Sequence, residues 1–320
     1  MILTVTLNPA LDMTWHVDAL TPGATHRAPT GFSRAGGKGV NVARVLHAQG
    51  HEVLALATVG GINGAEFESE LRASGMPHRL IRVSAPTRRS VAIVDESRGE
   101  TTVLNERGAA LAPVQVAALA ATAARLGHTA RAVAISGSLP PGFGPDHLGA
   151  LVAELVGAGT PAVVDTSGAG LLAAARAGAT ALKPNADELA EATGQPGPLA
   201  GARQLLALGA GLVLVTLGSD GLVVLDQTHP PLHARLPRTL HGNPTGAGDA
   251  AVAAIAAALA AGPRIDGTGA GSARAREELA RRATAWSASA VLMPHAGELS
   301  PDSGALEAEV TVQPVEEDLR

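Results

Sequence analysis

The segment Gly242-Asn243-Pro244-Thr245-Gly246-Ala247-Gly248-Asp249 runs directly into the alanine-rich stretch Ala250–Ala261. Glycines at a helix start leave backbone N–H groups open, and the helix dipole adds partial positive charge. Such a turn suits an anion, above all one whose charge grows during a reaction. Asp249 falls in the first turn, where a carboxylate repels phosphate unless it directs a metal or accepts a proton. Phosphoryl transfer needs such a group, because the attacking hydroxyl must lose its proton while oriented donors stabilise the transferring group. The plainer reading is an Asp placed to favour the helix N-terminus.

A second glycine loop, Ala35-Gly36-Gly37-Lys38-Gly39-Val40-Asn41-Val42-Ala43-Arg44, also feeds a helical stretch. It is not a Walker A loop, since Lys38 is followed by Gly39 and the glycine spacing differs. It can still present amides, Lys38 and Asn41 to a polyhydroxylated or phosphorylated ligand. The third signal is Leu182-Lys183-Pro184-Asn185-Ala186-Asp187-Glu188. Asn185 and Glu188 share a face at a helix start and suit Mg²⁺, directly or through water. The same pair also reads as a capping box. The chain holds only two lysines against 22 arginines, and both sit in these loops. Ser136–Gly142 and Thr216–Gly221 follow buried apolar runs, where α/β sheets place ligands. Gly267-Thr268-Gly269-Ala270-Gly271 follows a helix rather than a strand and reads as linker, not as a dinucleotide fingerprint.

These loops need a scaffold, and the remaining pattern supplies one. Short apolar runs at Ile2–Leu7, Val53–Val59, Ala132–Ser136, Ala162–Asp165, Ala181–Lys183 and Leu212–Thr216 suit strands covered on both faces. Helical stretches lie near Val40–Gln49, Ala65–Ser74, Pro113–Leu126, Pro145–Ala158, Gly168–Ala177 and Pro198–Leu208, several closed by Gly50, Gly75 or Gly178. Repeated βα units imply a mainly parallel, doubly wound sheet. Met13–Phe32 and Arg89–Glu106 break the rhythm with strand-like alternation, the second as a hairpin of Ser90–Asp95 and Glu100–Asn105. Such extra strands suit a small lid over a cleft, or an ordinary sheet edge. The stretch Gly262–Gly271 reads as a flexible loop, and the tail after Leu299 gives little pattern.

At 320 residues with 46% hydrophobic content, the chain can bury one large α/β core. A net charge of −5 argues against nucleic acid or an anionic membrane as the main partner. With no cysteine, disulfides, thiolate metal sites and cysteine nucleophiles are excluded. No secretory signal or bilayer-spanning run is visible, so a cytoplasmic protein is expected.

Together the Ala35–Gly50 and Asn243–Asp249 segments resemble the two signatures of the PfkB, ribokinase-like carbohydrate kinases. The resemblance extends through Thr6–Asp12, Thr87-Arg88, Ser136–Gly142, Asp165, Lys183–Glu188 and Thr216–Gly221, in the family's order. Thr6–Asp12 and Thr101–Glu106 are most similar to the 1-phosphofructokinase and tagatose-6-phosphate kinase branch. The resemblance implies a three-layer α/β/α fold with a mainly parallel sheet, one domain over 1–320, and a small β lid from about 13–32 and 88–106. It implies Asp249 as base, with the Gly246, Ala247 and Gly248 amides as an anion hole. Asp12, Gly37 and Asn41 would hold sugar hydroxyls beside Ser138, and Lys38 and Arg88 the substrate's own phosphate. Lys183, Asn185, Thr216, Gly218, Ser219, Gly221 and Ser287 would border ATP, and Asn185 with Glu188 would organise Mg²⁺. The expected activity is ATP-dependent phosphorylation of a ketohexose monophosphate, fructose 1-phosphate first, with tagatose 6-phosphate and fructose 6-phosphate as alternatives. A non-catalytic sugar-phosphate sensor is the remote alternative. A homodimer through the lid is also expected. Asn243-Pro244-Thr245 departs from the Ser-Thr-Val run of some relatives, which bears on the choice of substrate.

Overall fold

The computed structural model describes residues 1–262 and 270–315. The chain opens with β1 (Ile2–Thr6), β2 (Ala10–Val17), β3 (Phe32–Gly36), α1 (Lys38–Ala48), β4 (Val53–Val59), α2 (Gly61–Ala73) and β5 (His78–Arg82). A hairpin of β6 (Arg88–Asp95) and β7 (Glu100–Asn105) follows. Then helices and strands alternate through α3 (Pro113–Gly127), β8 (Ala132–Ser136), α4 (Pro145–Gly157), β9 (Ala162–Asp165), α5 (Gly168–Arg176) and β10 (Ala181–Leu182). Next come α6 (Ala186–Thr193), α7 (Pro198–Leu208), β11 (Leu212–Thr216), β12 (Leu222–Asp226) and β13 (Leu232–Arg235). The chain closes with α8 (Ala247–Ala261), α9 (Ala270–Val291), α10 (Ser303–Glu309) and β14 (Thr311–Pro314).

Ten strands form one sheet in the order β14-β13-β12-β11-β10-β9-β8-β1-β4-β5. The run from β5 to β11 is parallel, and β12, β13 and β14 are added antiparallel. Alternation along β1 explains the layering. Ile2 joins the core under α1, α8 and α9, while Leu3 and Val5 join the opposite core under α3, α4, α5 and α7. Helix α8 is apolar and buried around most of its circumference, as a helix enclosed by sheet and neighbours must be. Its alanines carry no long side chains, which lets α1 and α9 pack closely against it. Gly50, Gly75 and Gly178 adopt the positive φ expected of helix-closing residues.

A second sheet, in the order β3-β2-β6-β7, stands apart from the first. The hairpin lies close to its sequence expectation. Met13–Phe32 differs: strand β2 starts earlier, at Ala10, residues 18–31 form no regular element, and β3 begins only at Phe32. The glycines of Phe32–Gly36 and the loop after it mask β3 in a reading by composition. The tail after Leu299 is ordered through β14, which extends the main sheet by pairing with β13. Of the stretch Gly262–Gly271 read as a flexible loop, with Gly267–Gly271 as linker, residues 263–269 lie outside the described residues, and Ala270 and Gly271 instead open α9.

Candidate active site

The C-terminal ends of β1, β8 and β9 meet the second sheet and the start of α8 around a cleft of about 780 Å³. This is where an open parallel sheet places ligands. Asp12, Gly37, Lys38, Asn41, Arg88, Ser138, Glu188, Gly246, Gly248 and Asp249 all line it.

Asp249 lies on the cleft floor with 6% of its surface exposed. Asn41, one turn into α1, donates from Nδ2 to Asp249 Oδ2 at 2.8 Å. Burial raises the Asp249 pKa to about 6, against Lys38, which lowers it, while nearby Asp165 adds to the rise. The carboxylate is therefore mostly ionised at neutral pH yet close to its protonated form. That is the range in which a general base works best.

Gly246 caps α8 in the left-handed region, at φ 89°, at the edge of the cleft. The Ala247 amide differs from its neighbours. It donates to Pro244 O at 3.2 Å, and Ala247 is not a cleft residue. The glycines lining the cleft at this turn are Gly246 and Gly248. Lys183 is buried beneath them; a Cβ on Gly248 would come within 3.3 Å of its Nζ.

The two lysines converge on one carboxylate. Lys38 Nζ lies 3.2 Å from Asp165 Oδ2, and Lys183 Nζ 3.4 Å from Asp165 Oδ1. Burial would raise the Asp165 pKa, but Lys183 and Lys38 override it and hold the carboxyl below its ordinary range. Lys38 also lies 3.5 Å from Glu188 Oε1. It is thus paired with two carboxylates rather than presented alone to a substrate phosphate.

Across the cleft, Arg88 is held by two carbonyls, donating from Nε to Asn8 O and from Nη1 to Glu106 O, each at 3.1 Å. Asp12 is raised to about 7 by burial, offset by Arg88 and reinforced by Asp249. Its carboxylate fills the space where a Cβ on Gly36 would stand, only 1.9 Å from Oδ2. Ser138 Oγ accepts from Asn8 Nδ2 at 3.0 Å, so Asn8 ties the loop after β8 to the strand-end arginine.

Asn185 and Glu188 form the capping box in full: Glu188 N donates to Asn185 Oδ1 at 2.7 Å, and Asn185 N to Glu188 Oε2 at 3.0 Å. Thr216 is bridged to Asn185. Thr216, Gly218, Ser219, Gly221 and Ser287 lie outside the cleft itself. Gly221 has a structural task, since a Cβ there would come within 2.1 Å of Ala234 O. No group of three or more carboxylate or imidazole side chains suited to a metal occurs among the described residues.

Asn8, Ser90, Val103, Asn105, Arg107 and Asp165 line the cleft without having been singled out as site residues. Alternation along β7 held the signal, because Val103 and Asn105 share one face and Arg107 follows at the same period.

The chain matches the pfkB family carbohydrate kinases over residues 6–302. It is 40% identical over 294 residues to a 1-phosphofructokinase of Xanthomonas campestris pv. campestris, covering 89% of each chain. It is 36% identical over 306 residues to a 1-phosphofructokinase of Rhodobacter capsulatus, covering 94% of this chain and 92% of that one. Phosphofructokinase-2 of Escherichia coli in complex with potassium superposes with a TM-score of 0.85 at 28% identity, covering 96% and 98% of the two chains. Fold, cleft and relatives define an ATP-dependent sugar-phosphate kinase with ribokinase-like α/β architecture. The chain belongs to the pfkB family of carbohydrate kinases.

Proposed function

We propose that the protein transfers the γ-phosphoryl group of ATP to the C6 hydroxyl of fructose 1-phosphate, giving fructose 1,6-bisphosphate and ADP. The observation that carries this reading is that Asp249, buried and held by Asn41, shares one cleft with Arg88 and Arg107. A ketohexose monophosphate can then lie with its phosphate at the arginines and its free primary hydroxyl at Asp249. The 1-phosphofructokinase relatives favour fructose 1-phosphate among such sugars.

In this reading Asp249 accepts the hydroxyl proton as the oxygen attacks the γ-phosphorus. The bond from that phosphorus to the bridging oxygen of ADP breaks in line. The Gly246 and Gly248 amides stabilise charge on the transferring group, and Lys183 adds positive charge beneath them. Asp12 holds sugar hydroxyls, and Arg88, prearranged by its two carbonyl contacts, grips the substrate phosphate. Lys38 stands between Asp165 and Glu188 at the cleft's nucleotide side, where it would meet the transferring phosphoryl group rather than the sugar's own.

The donor set fits Mg²⁺ held mainly by ATP phosphates and water, since Mg²⁺ commonly takes only one or two carboxylates. Glu188 would supply one, with Asn185 acting through water because its Oδ1 already caps α6. When bound, the ion neutralises charge on the β and γ phosphates. Thr216, Gly218, Ser219 and Gly221 with Ser287 would border the nucleotide beyond the cleft.

The four-stranded sheet acts as a lid on this cleft, and its outer strand β7 is exposed along its length, with Leu104 60% exposed. A homodimer that covers this edge follows from the need to protect unpaired strand groups. Identification of the product tests the central reading: aldolase should cleave it, as it would fructose 1,6-bisphosphate, and a product resistant to aldolase would refute the assignment.

A further inference from the structure

Segment 294–298, after α9, touches three parts of the site at once. At one end, Pro294 O accepts from Asn243 Nδ2 at 3.0 Å, and Asn243 N donates to Val291 O at 2.8 Å. This fixes the loop that precedes the α8 glycines. Ala296 then packs on Gly246 so closely that a Cβ there would lie 2.8 Å from Ala296 Cα. Gly297 lies against α1, where a Cβ would come within 3.0 Å of the Arg44 side chain and 3.4 Å of Asn41 Cα. At the other end the segment reaches β3. Arg34 Nη1 donates to Glu298 Oε1 at 2.8 Å and to Ala296 O at 3.2 Å, and Phe32 stacks on His295 with ring centroids 4.8 Å apart.

Strand β3 belongs to the lid, pairing residue for residue with β2, so that Arg34 stands opposite Asp12. Gly246 belongs to the anion hole. We infer that Arg34 and Glu298 are positioning residues that couple the lid to the anion-hole turn, so that seating a sugar phosphate under the lid sets Gly246 for the nucleotide. The inference rests on the sugar-phosphate kinase reading. The physical ground is a short, bonded path. Displacing β3 must move Glu298 and the Ala296 carbonyl, or break both Arg34 bonds, and Ala296 sits close enough to Gly246 to leave no room for a side chain there. By reciprocity, the nucleotide must tighten sugar binding by the same factor that the sugar tightens nucleotide binding. The contact is part-buried, with 17% of the Arg34 and 31% of the Glu298 side chain exposed, so the ion pair is shielded from full solvent screening.

The test measures the dissociation constant of fructose 1-phosphate by calorimetry, with and without a saturating non-hydrolysable ATP analogue and Mg²⁺. Wild-type protein should bind the sugar about 5-fold or more tightly with the analogue present, the lower range of ordinary coupling. Glu298→Gln and Arg34→Met should each bring that ratio close to one while leaving affinity for the sugar alone little changed. The double variant should lose no more than either single one, since both break one linkage. A ratio that survives in both single variants, or losses that add in the double variant, would overturn the inference. A merely structural pair would lower thermal stability without moving the ratio. ADP release by the wild type separates the two levels: intact release with no coupling defeats this linkage alone, whereas no release defeats the kinase reading and the linkage with it.

Discussion

Asn41 and Asp249 are 208 positions apart in sequence and joined by a 2.8 Å hydrogen bond inside the protein. Asn41 stands one turn into a helix fed by one glycine loop, and Asp249 in the first turn of a helix fed by the other. The bond unites the two strongest sequence signals in one site. Asn41 donates to the ionised form of Asp249, so it favours the state a base must hold before it reacts. Asp249→Asn keeps the shape and removes the acceptor for the proton. It should lower kcat by about 10² to 10⁴, while KM for both substrates changes little. Turnover near that of the wild type would remove Asp249 from the role.

The pH dependence follows from the raised carboxyls. Asp249 titrates near 6 and Asp12 near 7, both because burial disfavours charge. If Asp249 is the base, as proposed, it must be ionised to act, so kcat/KM should fall as pH drops through this range. Replacing Asn41 by Leu removes a donor that stabilises the ionised carboxylate. The acid limb should therefore move to higher pH, and activity at pH 6 should suffer more than at pH 8. A limb that stays in place would break the link between Asn41 and the base.

Arg88→Ala should act on the phosphorylated sugar. A charge-assisted hydrogen bond contributes about 1.5–3 kcal/mol, which is roughly a 10- to 100-fold rise in KM for the sugar phosphate. KM for ATP should hold steady. If the ATP value rose alone, the arginine would serve the nucleotide instead. Arg107→Ala should give a change of the same sign.

Asp165→Asn should be costly to the fold. Its two lysine contacts include Lys183, whose side chain is only 4% exposed, and the substitution leaves that ammonium in the interior without its partner. Removing one member of a buried pair costs about 3–5 kcal/mol, measurable by urea unfolding. The sign with pH is fixed by the depressed carboxyl. Its contribution is present above the ordinary carboxylate pKa and lost as pH falls through the lower folded value. Stability unchanged in the variant would show that Lys183 finds another partner.

Much of this site was legible because an anion-binding helix start favours glycine, and the two lysines fell at helix starts, Lys38 in a glycine loop and Lys183 just before the Asn185 cap. The parallel strands were equally open to reading, since continuous apolar runs have few other uses in a chain without a membrane-scale segment. Less legible were β12, β13 and β14. An antiparallel extension after a parallel sheet has the same composition as its neighbours, and β14 follows a helix of only seven residues. Strand β3 was hidden by glycine and arginine, whose places are set by Asp12 and Glu298 rather than by strand propensity. The role of Lys38 depended on a partner no spacing reveals, because Asp165 lies 127 positions away and pairs with both lysines. Ala247 shows the same limit at close range. Its amide is drawn to Pro244 by a turn, while the glycines on either side face the cleft.

The most direct test of the central claim is the rate of ADP release from Mg·ATP with fructose 1-phosphate, tagatose 6-phosphate, fructose 6-phosphate and free fructose, each over a range of concentrations. The account predicts the highest kcat/KM for fructose 1-phosphate and little turnover of free fructose, which offers nothing to Arg88 and Arg107. Equal or better use of free fructose would contradict the phosphate-binding wall, and a clear preference for another monophosphate would contradict the orientation that places C6 at Asp249.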